Sequence, residues 1–217
     1  MNRIKAVVFD MDGVLIDAKE WHYEALNRAL DVFGMEITRY EHLVTYDGLP
    51  TSEKLKMLSM EKKLPVGLHP FINELKQQYT VEKIYTCCKP LFIHEYALSR
   101  LKNDGYKLAV ASNSIRRTVD IMMERANLQQ YLEFSLCNQD VKKAKPDPEI
   151  YLCAIERLGI TPKECLVVED NKNGVLAAQN AGAHVMKVDT VYDVNYDSIL
   201  VNINRAEAEN EDNSSNS

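Results

Sequence analysis

The stretch VVFDMDGVLID, Val7–Asp17, decides how the rest of the chain is read. An apolar run beginning at Ile4 ends abruptly on Asp10, and Asp12 and Gly13 follow at once. A β-branched run without polar alternation is the pattern of a strand buried on both faces, as in a parallel sheet. One aspartate at a strand end is ordinarily a turn cap. Two of them, one residue apart, put like charges together and call for a further reason.

Similar runs recur at Lys107–Ala111, Phe134–Cys137, Cys165–Val168 and His184–Val188. Helical patterns lie between them. PEIYLCAIERLG starts on Pro148, stops on Gly159 and lines up Ile150, Tyr151, Ala154, Ile155 and Leu158 on one face. GVLAAQNAGA forms a second short helix that stops near Gly182. Strand alternating with helix predicts an α/β fold, a Rossmann-like parallel sheet core with helices on both faces. Residues 17–82 break the rhythm with several helical patterns and no strand. They read as an inserted helical cap domain, leaving residues 1–16 and 83–203 as the core. Two crossings would join the insert to the core, an arrangement able to hinge as a lid.

Composition narrows the function classes. The chain has 217 residues and a formal net charge of −6, of which four charges (Glu207, Glu209, Glu211 and Asp212) lie in the last segment. The remaining body is nearly neutral and has no basic block, which argues against nucleic acid or an anionic membrane as partner. No apolar run reaches membrane-spanning length and no signal-peptide pattern opens the chain, so the cytoplasm is expected. The five cysteines are odd in number and contain no CxxC pair, which speaks against zinc and a disulfide framework. Residues 204–217 carry no apolar side chain larger than alanine and read as a disordered acidic tail. A monomer or weak dimer is expected.

In an open parallel sheet, ligands bind beyond the carboxyl ends of the strands. Asp10 and Asp12 follow the first run; Ser112, Asn113 and Ser114 follow the second; Glu169 and Asp170 follow the fourth. KAKPDP places Lys145 between the third and fourth runs. Gathered together, these carboxylates need a cation, and hard oxygen ligands suit Mg²⁺. A lysine and a hydroxyl beside such an ion point to a phosphoryl group.

In their order, DMDGVLID, ASNS, KAKPDP and VVEDNKNG resemble the four motifs of the haloacid dehalogenase (HAD) superfamily, and the insert resembles the helical C1-type cap of the subgroup containing β-phosphoglucomutase and small-metabolite phosphatases. The resemblance implies that Asp10 attacks phosphorus and becomes an aspartyl-phosphate. It implies that Asp12 acts as general acid and then base, with its carbonyl on Mg²⁺. Gly13, Ser112 and Asn113 would hold the substrate, Lys145 would bind nucleophile and phosphate, and Asp10, Asp12, Glu169 and Asp170 would form the metal site. The family's haloalkanoate dehalogenases have no acid at the position of Asp12, so its presence implies phosphoryl chemistry.

The expected activity is Mg²⁺-dependent hydrolysis of a small phosphorylated metabolite such as a sugar phosphate. A β-phosphoglucomutase-like mutase is the alternative. His22 falls where that branch has a hinge histidine, although it also suits packing at a helix start. Thr51 stands where the mutase has an arginine, and losing the guanidinium removes a bidentate phosphate clamp. Arg116 either faces the substrate or lies on a solvated helix start. Lys54 or Lys76 could substitute for the mutase's arginine, although long lysines on a helix are usually solvated. A non-enzymatic phospho-switch or a pseudo-enzyme binding module is the remaining reading; a switch of the receiver type lacks the insert and has no need of the Asp12 acid.

Overall fold

The computed structural model describes residues 3–46 and 48–215 and divides into two units, Met1–Asp17 with Lys89–Ser217, and Ala18–Cys88. The first unit is built on strands β1 (Ala6–Phe9), β2 (Lys107–Ala111), β3 (Phe134–Leu136), β4 (Cys165–Glu169) and β5 (His184–Lys187). They pair in parallel in the order β3-β2-β1-β4-β5. The sheet grows from β1 first to one side and then to the other. The switch point, where an α/β sheet opens a crevice, therefore lies at the carboxyl end of β1.

Each strand forms where the sequence runs apolar and stops where it turns polar. Ala6, Val7, Val8 and Phe9 are all fully buried, as a strand covered on both faces requires. Fully burying a valine or phenylalanine contributes roughly 1.5–3 kcal/mol. The register Phe9↔Val110 and Phe9↔Val168 brings the three polar strand ends level.

The second unit contains α1 (Lys19–Asp31), α2 (Arg39–Glu41), α3 (Thr51–Lys62) and α4 (His69–Cys87), with a π-helical turn over His42–Tyr46. Leu26, Ala29 and Leu30 of α1 pack with Leu55 and Leu58 of α3 and Ile72 of α4. Helix α4 continues through residue 82 because its buried stripe, Ile72, Lys76, Thr80 and Ile84, keeps helical spacing up to the next turn. Lys54 and Lys76 are buried, not the solvated lysines that helix position alone suggested.

The core helices are α5 (Phe92–Asn103), α6 (Arg116–Arg125), α7 (Glu149–Leu158), α8 (Lys172–Asn180) and α9 (Tyr196–Ser215). α7 and α8 seal one cluster with Ala6, Val8, Ala109 and Val167. α5 and α9 also pack on the sheet. Helix α9 corrects the expectation of a disordered tail over residues 204–217, of which 216 and 217 lie outside the described residues. Ile199, Ile203, Ala206 and Asn210 are buried at helical spacing. Asn210 Nδ2 donates to the Lys163 carbonyl at 2.9 Å, and Glu207 Oε1 accepts from Ile4 N at 2.9 Å. The composition hid this because an alanine and an asparagine carry the end of the stripe. Among the described residues, no helix is long and apolar enough to cross a membrane.

One buried group on α5 sets a pH dependence. His94 is 1% exposed, with Nε2 2.7 Å from the Val191 carbonyl and a further hydrogen bond to the Leu15 carbonyl. Burial lowers its pKa below the ordinary 6.5, and the two carbonyls only partly oppose this. The unfolded chain therefore takes up the proton first. The contribution to stability is complete above the unfolded value and is lost as pH falls through the folded one. Urea midpoints are expected to decline as pH drops below about 6.5, with a shallower decline in His94→Gln.

Candidate active site

Asp10 is placed by β1: its backbone N–H donates to the Val168 carbonyl of β4 at 2.9 Å, extending the strand pairing by one residue. The chain then turns sharply. The amides of Leu15 and Ile16 return to the Met11 carbonyl, and Gly13 N donates to Ile16 O at 2.7 Å. Gly13 takes φ +88°, a conformation that side-chain-bearing residues rarely adopt. This turn keeps Asp12 beside Asp10, and the two charges act on each other.

Lys145 is the centre of the cluster. Its buried Nζ lies 2.6 Å from Asp10 Oδ1, 2.6 Å from Glu169 Oε1 and 2.8 Å from the Ala111 carbonyl. Its backbone N donates to Asn113 Oδ1 at 3.2 Å, so the loop after β2 anchors the lysine's own loop. Burial pulls the lysine pKa down, but attraction to Asp10 and Glu169 outweighs it and leaves the pKa raised. Lys145 is therefore an ammonium. Burial pushes the Asp10 pKa well up; Lys145 opposes this, while Glu169, Asp170 and Asp12 add to it.

Glu169 is fully buried. Its Oε1 also accepts from Tyr151 Oη at 2.5 Å, and its Oε2 accepts from Asp170 N at 3.1 Å. Tyr151 lies with its ring 4.7 Å from Lys145 Nζ, so one side chain contacts both members of the ion pair. Helix α8 passes close by. A Cβ added at Gly174 would overlap the Glu169 carboxylate. Gly174→Ala, which in an exposed helix stabilises by about 1 kcal/mol, is expected here to destabilise by about 3 kcal/mol or more in urea denaturation, because the carboxylate is pinned and cannot retreat.

Of the residues that the sequence singled out, the structure gathers Asp10, Asp12, Asn113, Lys145, Glu169 and Asp170 with Ser112 at the carboxyl end of the sheet. Ser112 is buried, and its Oγ accepts from Ser114 N at 3.0 Å. Arg116 is committed elsewhere: its guanidinium donates to the Ser135 carbonyl at 2.8 Å and pairs with Asp140. His22 and Thr51 belong to the helical unit. His22 Nδ1 is 3.2 Å from Lys76 Nζ, and Thr51 is the first residue of α3. Sequence reasoning missed Tyr151, which reads as one more apolar position of its helix. It also gave no role to Ser114 and Gly174, although both lie inside quoted motifs.

Asp10, Glu169 and Asp170 each bring a carboxylate oxygen within 4.8 Å of the others, all three buried. One ammonium does not balance them. The donor set fits a divalent cation with hard oxygen ligands.

Comparison with known proteins agrees with this architecture. The family profile described as "Haloacid dehalogenase-like hydrolase" matches residues 7–188. The chain is 34% identical to the "Phosphorylated carbohydrates phosphatase" of Thermotoga maritima over 182 residues, covering 82% of each chain. It is 30% identical to the "Pyrophosphatase PpaX" of Bacillus velezensis, over 83% of this chain and 81% of that one. The β-phosphoglucomutase structure from Clostridium difficile shares the fold, with a TM-score of 0.81 at 21% identity over 94% of this chain and 99% of that one. A family match spanning nearly the whole core, on a parallel sheet that ends in these carboxylates, has one meaning: the chain belongs to the haloacid dehalogenase-like hydrolases.

Proposed function

We propose that this hydrolase is a Mg²⁺-dependent phosphatase for a small phosphorylated metabolite of the sugar phosphate class. The observation that carries the reading is the Lys145 ammonium 2.6 Å from both Asp10 and Glu169, buried beside a third carboxylate, Asp170. Such a cluster suits a dianionic phosphoryl group that arrives with a metal. The names of the two relatives above, a phosphatase of phosphorylated carbohydrates and a pyrophosphatase, support the substrate class.

The chemistry follows from the residues. An Asp10 oxygen bonds to phosphorus as the bond from phosphorus to the leaving oxygen breaks, and Asp12 gives that oxygen its proton. Asp12, now a carboxylate, takes a proton from water. The water oxygen bonds to phosphorus, the aspartyl-phosphate bond breaks, and Asp10 and inorganic phosphate are released. Lys145 keeps the nucleophile oriented and offsets charge on the transferring oxygens. Ser112 and Asn113 border the same space. Asp10, Asp170 and the Asp12 carbonyl would hold Mg²⁺, with Glu169 chiefly holding Lys145. When bound, the ion supplies positive charge to the phosphoryl oxygens.

A screen of phosphomonoesters tests this. The expected result is phosphate release from sugar phosphates, abolished by a chelator and restored by Mg²⁺. Interconversion of hexose phosphates without phosphate release would replace the reading with the mutase.

A further inference from the structure

We infer that Ser114 is the positioning residue for the general acid, holding the Asp12 carboxyl by one oxygen so that the other faces the leaving group. The inference rests on the phosphatase reading above and deepens it.

Ser114 Oγ donates to Asp12 Oδ2 at 3.0 Å, across 102 positions of sequence. The serine is itself held at both backbone ends. Its N–H donates to Ser112 Oγ at 3.0 Å, and its carbonyl accepts from Asn138 N at 3.1 Å. The hydroxyl thus hangs from a loop clamped between the ends of β2 and β3. The Asp12 backbone is fixed in turn by the bridge to Ile16. What the turn does not determine is the rotation of the Asp12 side chain, which is only partly buried. The Ser114 hydroxyl is a donor placed to constrain it.

The donor also has a chemical consequence. When Asp12 passes its proton to the leaving oxygen, negative charge develops on the carboxyl group. A hydroxyl already aimed at Oδ2 stabilises that charge without reorganisation. In the second half-reaction the same bond keeps the carboxylate facing the incoming water. Ser114 touches neither phosphorus nor the leaving group in this scheme and acts through Asp12 alone.

A pair of substrates of similar size separates positioning from structure. Phenyl phosphate needs a proton on its leaving oxygen; p-nitrophenyl phosphate scarcely does. kcat/KM reports the steps up to formation of the aspartyl-phosphate, where Asp12 acts as acid. Ser114→Ala is expected to lower kcat/KM for phenyl phosphate by ~10-fold or more, and for p-nitrophenyl phosphate by less than ~3-fold. Ser114→Thr, which keeps the hydroxyl, is expected to restore most of the difference. Should Ser114→Ala not fold, Ser114→Thr and Ser114→Val make the same comparison through one hydroxyl. An equal loss on both substrates, or no loss on phenyl phosphate, in a background where the unmodified enzyme hydrolyses both, overturns the assignment and leaves the phosphatase reading intact. An unmodified enzyme that hydrolyses neither ester overturns the phosphatase reading and the assignment with it.

Discussion

Lys145→Ala is expected to cost both stability and turnover, and the stability loss is the more diagnostic. The ammonium sits 2.6 Å from Asp10 and 2.6 Å from Glu169 with about 3% of its side chain exposed. Removing it strips the buried carboxylates of Asp10 and Glu169 of the ammonium that pairs with both. Breaking a buried pair from one side typically costs about 3–5 kcal/mol. Urea denaturation in the presence of a chelator measures this. Saturating Mg²⁺ should recover part of the loss, because a ligand that binds only the folded state stabilises it by mass action. The double variant Asp10→Asn with Lys145→Ala should lose less than Lys145→Ala alone, by about 0.5–3 kcal/mol, since one of the stranded charges is then gone. A loss no greater than that of an ordinary exposed lysine would mean that the cluster is not electrostatically closed around Lys145.

Asp10→Asn by itself is expected to abolish phosphate release, with kcat lowered at least ~10⁴-fold. The fold should survive. The asparagine carbonyl oxygen still accepts from Lys145, and one of the mutually repelling buried carboxylates is neutralised. In the metal-free protein the urea midpoint should therefore match that of the unmodified chain or exceed it. The two variants form a matched contrast: one silences the chemistry and spares the fold, while the other damages both. Turnover that persists in Asp10→Asn would remove the nucleophile from the scheme. Incorporation of labelled phosphate into the acid-quenched enzyme, present in the unmodified chain and missing in Asp10→Asn, gives an independent readout.

Both predictions depend on contacts that differ greatly in how far they could be read in advance. The strands were legible because burial on both faces leaves an unbroken apolar run, and because each run stops where polar side chains meet the crevice. Phe134–Leu136 and His184–Lys187 fall within a residue of where the apolar pattern placed them. Helix α9 was not legible past residue 203, since composition records apolar bulk and not which face an alanine or asparagine presents. The stripe of α4 is hard to read for a related reason: a buried lysine and threonine stand in it where apolar side chains would mark the face. Arg116 shows the same limit from the other side: its place beside a strand-end motif left both a substrate contact and a solvated helix start open, and Ser135 and Asp140, nearly twenty or more positions away, engage it.

The order of buried strands, the acids that end them and the membership in this hydrolase family can be read along the chain, because these depend on local patterns of apolarity and on short motifs. Which partner each polar atom has emerges only on folding. Lys145 lies between Asp10 and Glu169, Tyr151 lies under both members of that ion pair, Gly174 leaves the space that Glu169 fills, and Ser114 holds Asp12. The physical reason is that these are contacts between side chains on different strands and loops, set by sheet register and by a few ångströms of packing. No periodicity along the chain encodes such distances.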